Sequence, residues 1–267
     1  MIDGGGSKRF EGKVAVVTSS TKGIGYATVK RLAQEGAKVV LSSRKEENVK
    51  KAVAELKAEG LDVFGMVCHV GKQDQVQRLL QETVRRYGGL DILIPLTGVS
   101  TMYGPVLETT EAEYDKMFNV NVKAPFTLIK EAHPLMKQRG KGSIVLMSTY
   151  AAFDPQYCNV DGHGIDIYCI TKTALLGMTK GLTPQLAQSN IRINSVAPGP
   201  IETEFFNGMT NRMAQKNLHR DHKAKVPLRR RGTPDEVASV ITFLASDDAA
   251  YITGENIIIA GGLSSRL

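Results

Sequence analysis

Val14-Ala15-Val16-Val17-Thr18-Ser19-Ser20-Thr21-Lys22-Gly23-Ile24-Gly25 is the stretch from which the rest of the chain is read. Its first five residues are rich in β-branched types and, up to Thr18, apolar, the pattern of a buried strand. From Gly23 onward, Ile24, Ala27, Val29, Leu32 and Ala33 recur at helical spacing, and Gly36 stops the run after Glu35. A strand therefore feeds a helix through a short turn of small residues. Two glycines at such a junction also suit an ordinary tight turn. The start of the helix nevertheless offers unpaired N–H groups and the positive dipole end, where an anion is favoured. Thr18, Ser20, Lys22, Gly23, Ile24 and Gly25 are the residues that a pyrophosphate would meet there.

The same alternation repeats along the chain. Apolar runs at 38–41, 61–68, 90–95, 143–147, 192–196 and 256–259 predict six further strands. Helical spacing covers 46–58, 73–87, 111–118, 122–139, 165–188 and 234–245, and a polar helical stretch covers 203–225. Unpatterned apolar strands between amphipathic helices imply a parallel sheet covered on both faces. Right-handed crossovers make that sheet doubly wound. No composition break or repeat divides the 267 residues. An α/β single domain is expected over 13–264, preceded by a Gly-rich end at 1–12 that should fray.

With 42% hydrophobic and 23% charged residues, the chain can bury a substantial core, which excludes disorder and a collagen-like chain. No run of 18 apolar residues exists, so no membrane-spanning helix is expected. Lys and Arg number 34 against 27 Asp and Glu, a net charge of +7. Such a balance suits nucleic acid, an acidic membrane surface, a phosphorylated ligand or a merely solvated surface. The absence of Trp and an aromatic content of 6% supply few stacking platforms, and the basic residues are dispersed, so no nucleic-acid partner is expected. Cys68, Cys158 and Cys169 are odd in number and form no Cys-x-x-Cys pair. They point to core packing in a reduced compartment. No metal site is expected.

Two further segments carry chemistry. At the end of the second strand, Leu41-Ser42-Ser43-Arg44-Lys45 has no acid where NAD binders hold the ribose 2′-hydroxyl. Ser43, the planar fork of Arg44, Lys45 and the nearby Lys22 suit a 2′-phosphate instead, so NADP(H) is the expected cofactor. Farther on, Tyr168 and Lys172 open a long helix at i and i+4, adjacent on one face. A neighbouring ammonium, with the cationic ring of an oxidised nicotinamide, is expected to lower the phenol's pKa. Alone, a Tyr–Lys pair on a helix is common.

Together these segments resemble the short-chain dehydrogenase/reductase family over nearly the whole chain. The motifs fall in order: the glycine loop, Asn121 in Asn-Val-Lys-Ala, Ser148-Thr149, Tyr168-x-x-x-Lys172, Pro198-Gly199 with Thr203, and Tyr251-Ile252-Thr253-Gly254. Ser43-Arg44-Lys45, Val67-Cys68-His69-Val70-Gly71-Lys72, Thr173-Ala174-Leu175-Leu176-Gly177 and the Ser265-Arg266-Leu267 end are similar to the peroxisomal NADPH-dependent carbonyl reductases that also act on retinol and retinal. The resemblance implies a single-domain Rossmann fold with a seven-stranded sheet, usually a homotetramer. It implies that NADPH gives a hydride to a carbonyl carbon of a small-molecule substrate while Tyr168 protonates the alkoxide. Lys172 would bind the nicotinamide ribose, Thr149 would polarise the carbonyl, and Asn121 would hold a water that relays protons to Lys172. His69 and Val70 would border the adenine. Gly98, Pro198, Gly199, Ile201 and Thr203 would complete the cofactor site. Residues 265–267 would be read by the peroxisomal import receptor.

Four departures accompany the resemblance. Ser19 stands at the family's first loop glycine, and Thr149 at its catalytic serine. Thr149 keeps the hydroxyl but adds a methyl that stiffens χ1, and Ser148 should face the opposite side. Tyr168 follows Thr149 by 19 residues, a longer gap than usual, and the extra residues in 154–167 should lie over the substrate pocket. His163 or Asp161 could touch substrate there, or simply be solvated. Finally, Pro95-Leu96-Thr97-Gly98 replaces the usual Asn-Asn-Ala-Gly, and Pro95 can make none of that first Asn's hydrogen bonds. These departures leave two function classes: an active NADPH-dependent carbonyl reductase, favoured because Tyr168 and Lys172 are both kept, and a weakly active NADP(H)-binding protein acting through its oligomer surface.

Overall fold

Val14–Val17 is buried throughout and forms strand β1, an inner strand of the sheet. Helix α1, Gly23–Gln34, lays Ala27, Val29, Leu32 and Ala33 against it. In the computed structural model, residues 8–101, 103–159, 162–204 and 225–263 are described. The chain continues through β2 (Lys38–Ser43), α2 (Glu46–Ala58), β3 (Val63–Val67), α3 (Gln73–Tyr87) and β4 (Ile92–Ile94). It then passes through α4 (Glu111–Phe118), α5 (Ala124–Gln138), β5 (Gly142–Met147), α6 (Asp166–Ala187), β6 (Ile191–Pro198), α7 (Pro234–Ala245) and β7 (Asn256–Ile259).

All seven strands are parallel, in the order β3-β2-β1-β4-β5-β6-β7. Their alternate residues feed two apolar layers. Ala15, Val17, Val39 and Leu41 pack with α1, α2 and α7. Val16, Val40, Leu93 and Ile144 pack with α3, α5 and the far end of α6. This is the expected doubly wound sheet. The order reverses between β1 and β4, and in such sheets ligands bind outside the carboxyl ends of the strands at that point.

Several boundaries differ from the sequence expectation. β4 ends at Ile94 because Pro95 donates no N–H and the chain turns tightly, Leu96 N bonding Ile94 O and Thr97 N bonding Pro95 O. The missing donor therefore falls outside the ladder. α4 and α5 are not separate, since one π-turn, Asn119–Lys123, joins them. Residues 8–12 do not fray: Phe10 is buried in the core, and Arg9 pairs with Glu35 at 2.6 Å and with Asp248 at 3.0 Å. Most of the stretch expected as a helix over 203–225 lies outside the described residues, as do 265–267.

Candidate active site

The turn after β1 is shaped for close approach. Gly23 has φ +55°, and Ser19 has φ +50°, a left-handed conformation that glycine adopts freely and serine adopts at a cost of about 1–2 kcal/mol. The Ser19 departure is thus a real local strain. Gly25 is held by contact, since a Cβ there would sit 2.7 Å from both Ser19 O and Ser20 Cα. The first turn of α1 contains no acidic residue and its N-cap, Lys22, makes no side-chain cap, so its N–H groups are open to an anion. Ser20 turns inward, its hydroxyl donating to Val17 O at 2.6 Å.

A cavity of about 870 Å³ begins at this turn. Lys22, Gly23, Ile24 and Gly25 line one end, and Thr149, Tyr168 and Lys172 line the other. Gly98, Pro198, Gly199, Ile201 and Thr203 complete the wall between them. Thr203 lies over the glycine turn, its Cγ2 3.4 Å from where a Gly23 Cβ would be. Ser43, Arg44, Lys45, His69 and Val70 stand beside the cavity at the ends of β2 and β3 rather than on its lining. Arg44 is exposed and has no ion-pair partner among the described residues, whereas Lys22 is 3.1 Å from Glu204. His69 accepts from Gly71 N through Nδ1 at 3.1 Å.

Three hydroxyls at the carboxyl edge of the sheet, on Thr18, Ser42 and Thr97, are buried without a hydrogen-bond partner. Such orphans are costly unless a ligand or water satisfies them. Of the three only Thr97 belongs to the cavity lining, so it is the open helix start and the close-approach glycine turn that fit the phosphates of a nicotinamide dinucleotide.

Lys172 is buried and donates to Thr97 O at 2.6 Å and Met147 O at 2.9 Å. Burial lowers its amine to about 7. Its Nζ is 5.7 Å from the centre of the Tyr168 ring. The expected lowering of Tyr168 by this neighbour does not occur in the protein alone. Burial is the dominant influence and pushes the phenol up. Ser148 donates to Lys172 O at 2.9 Å, clamping the middle of this helix turn to β5. Thr149 lines the cavity, and its hydroxyl donates to Pro198 O at 3.4 Å.

Asn121 sits in the π-turn, fully buried and off the cavity wall. Its amide nitrogen donates to Val99 O and Thr171 Oγ1, both at 2.9 Å, and its oxygen accepts from Val99 N at 2.8 Å. Both amide hydrogens are thus committed to protein, so the side chain braces the loop after β4 against α6.

Other lining residues went unnoticed in the sequence. Asn48, Lys51 and Glu55 border the cavity from α2, and their helical spacing was the available signal. Tyr157, Cys158 and Ile165, from the lengthened segment, line the cavity beside Tyr168. His163 is exposed and off the lining, and Asp161 lies outside the described residues. All three cysteines are free and buried. Burial raises the Cys68 thiol to about 11 and Cys158 to about 12. Among the described residues no cluster could hold a metal ion, and no helix is long and apolar enough to cross a membrane.

A glycine turn at the switch point that shares its cavity with a Tyr–Lys pair defines a dinucleotide-dependent oxidoreductase, and the chain belongs to the short-chain dehydrogenase/reductase family. The family described as "Enoyl-(Acyl carrier protein) reductase" matches residues 18–264. "Dehydrogenase/reductase SDR family member 4" of Homo sapiens is 46% identical, over 96% of this chain and 88% of that protein. "Tropinone reductase-like 3" of Erythroxylum coca is 44% identical, over 97% and 96%. A solved short-chain dehydrogenase/reductase from Mycobacterium marinum superposes with a TM-score of 0.88 at 28% identity, over 96% of this chain and 97% of that one. The protein is an oxidoreductase acting on CH–OH or carbonyl groups of small molecules, in a family that uses nicotinamide cofactors.

Proposed function

We propose that the protein reduces carbonyl compounds with NADPH and that Tyr168 supplies the proton. One observation carries this: the glycine turn and the trio Thr149, Tyr168 and Lys172 line the same cavity. Bound cofactor supplies the hydride. The remaining tasks belong to the chain. Burial keeps the Tyr168 phenol protonated, the form that can donate to a developing alkoxide. The Thr149 hydroxyl polarises the carbonyl. Lys172, anchored by two carbonyl oxygens, is placed to bind the nicotinamide ribose and to favour negative charge near Tyr168. Asn121 holds the loop that carries Val99.

Ser43, Arg44, Lys45 and Lys22 take the 2′-phosphate, Lys22 leaving Glu204 to do so. Gly23, Ile24 and Gly25 take the pyrophosphate side, on a turn that the buried Thr18 and Ser20 shape from within. His69 and Val70 border the adenine, and Gly98, Pro198, Gly199, Ile201 and Thr203 border the nicotinamide. The substrates proposed are ketones, aldehydes, α-dicarbonyls and retinal. The proposal includes a homotetramer and peroxisomal import through Ser265-Arg266-Leu267, the latter tested by the location of a fluorescent fusion carrying that end.

Purified protein is assayed with NADPH and NADH against a panel of these compounds. NADPH oxidation is expected with at least one class. NADPH should bind at least about tenfold tighter than NADH, because a charge-assisted phosphate contact is worth about 1.5–3 kcal/mol. NADPH binding without oxidation by any member of the panel would overturn the activity. Equal affinity for NADH would remove the role of Arg44.

A further inference from the structure

The segment between Thr149 and Tyr168 is long, and long surface loops are mobile unless tied down. Here the ties are visible. Two 3₁₀ turns, Tyr150–Ala152 and Pro155–Cys158, fold it against α6. Tyr150 Oη donates to Asp154 Oδ2 at 3.2 Å, and its ring meets Tyr157 edge-on at 5.3 Å. Asn159 closes the fold. Its Nδ2 donates to Asp166 Oδ2 at 2.9 Å, and its Oδ1 accepts from Gly162 N at 3.0 Å.

Asp166 is the first residue of α6, two before Tyr168. Gly164 leaves no room beside this contact: a Cβ there would lie 2.9 Å from Asp166 Oδ2 and 2.9 Å from Cys158 O. Gly164 also exchanges backbone hydrogen bonds with Gly104 at 3.1 and 3.2 Å, tying in the strip on the opposite side. Tyr157 and Cys158, directly before Asn159, are part of the cavity wall beside Tyr168.

We propose that Asn159 is a positioning residue for Tyr168: its bond to Asp166 pins the strap of residues 150–159 against the start of α6 and so fixes the wall on which the substrate rests. An amide-to-carboxylate bond is charge-assisted, stronger than a neutral one. It acts two residues from the proton donor, where a displacement of about 1 Å can cost about 100-fold in rate. The kinetic effect rests on the carbonyl-reductase proposal above, whereas the pin itself does not.

The test exchanges the two side chains. Asn159→Asp places two carboxylates in contact and breaks the pin while still accepting from Gly162. Adding Asp166→Asn restores it with donor and acceptor reversed. Three quantities are read: kcat and KM with a carbonyl substrate, the Kd for NADPH, and the rate at which N-ethylmaleimide labels Cys158, located by peptide mass spectrometry. N159D is expected to lose about tenfold in kcat, within the range that misplacement of reacting groups produces. It should keep the wild-type Kd for NADPH and label faster at Cys158, a residue that is buried in the pinned state. The exchanged pair should return all three toward wild type. N159D with wild-type kcat and labelling would overturn the proposal, and so would an exchanged pair no better than N159D. If the wild type turns over no carbonyl compound, the functional proposal fails by itself and the labelling rates decide the pin.

Discussion

Lys172 has an ordinary amine pKa of 10.5, and burial lowers it to about 7. The folded protein therefore binds fewer protons than the unfolded chain between those values. Stability contributed by this site then rises with pH across that window, and the cost of burying the charge is fully present below about 7. Each unit is about 1.4 kcal/mol, so the change is on the order of 5 kcal/mol at most. Lys172→Met should accordingly lose most stability relative to wild type near pH 10 and least near pH 6, read by urea unfolding. A difference independent of pH would show that the amine is not held neutral. Tyr168 has the opposite consequence for turnover. Its raised phenol stays protonated through the neutral range, so reduction should proceed at pH 7, while alcohol oxidation, which needs a proton acceptor, should speed up as pH rises. The Tyr168–Lys172 adjacency was legible because four residues make one helical turn. The partners of Lys172 were not. Thr97 and Met147 approach from the ends of β4 and β5, and no local pattern encodes that meeting. For the same reason the Lys22–Glu204 pair was invisible, and Lys22 read as a free cation.

The first strand–turn–helix unit shows how an element makes a site. β1 delivers the chain to the carboxyl edge, and α1 can start there only because Gly25 lets Ser19 and Ser20 pass at contact distance. Gly25→Ala must move backbone rather than a flexible side chain. A loss of about 1–3 kcal/mol in stability is expected, as for other overpacked positions, together with weaker NADPH binding, measured by urea unfolding and by cofactor fluorescence. Unchanged binding would remove the glycine turn from the cofactor site. β1, α1, α7 and β7 were legible almost to their ends because their apolar periodicity is uninterrupted. The π-turn between α4 and α5 was not. Its extra residue per turn breaks the helical period, which reads as a gap although the chain stays helical through Asn121.

Across the whole molecule, seven parallel strands converge their carboxyl ends on one edge, and the cavity lies there. The net charge of +7 was legible as a number but not as a location. Arg9 is spent on Glu35 and Asp248, at the foot of the sheet, where Phe10 seals the core. Arg44 stays exposed just past the carboxyl end of β2. Fold class followed from the alternation of elements alone. The substrate wall did not, because it is built by an irregular segment whose contacts are side chain to side chain. The central claim is that Tyr168 donates the proton inside the cavity that holds NADPH. Single-turnover oxidation of prebound NADPH by a reducible ketone, wild type against Tyr168→Phe, tests it most directly. Loss of a general acid should slow the step by about 100- to 10,000-fold, with the Kd for NADPH unchanged. A Tyr168→Phe protein that oxidises NADPH at the wild-type rate would contradict it.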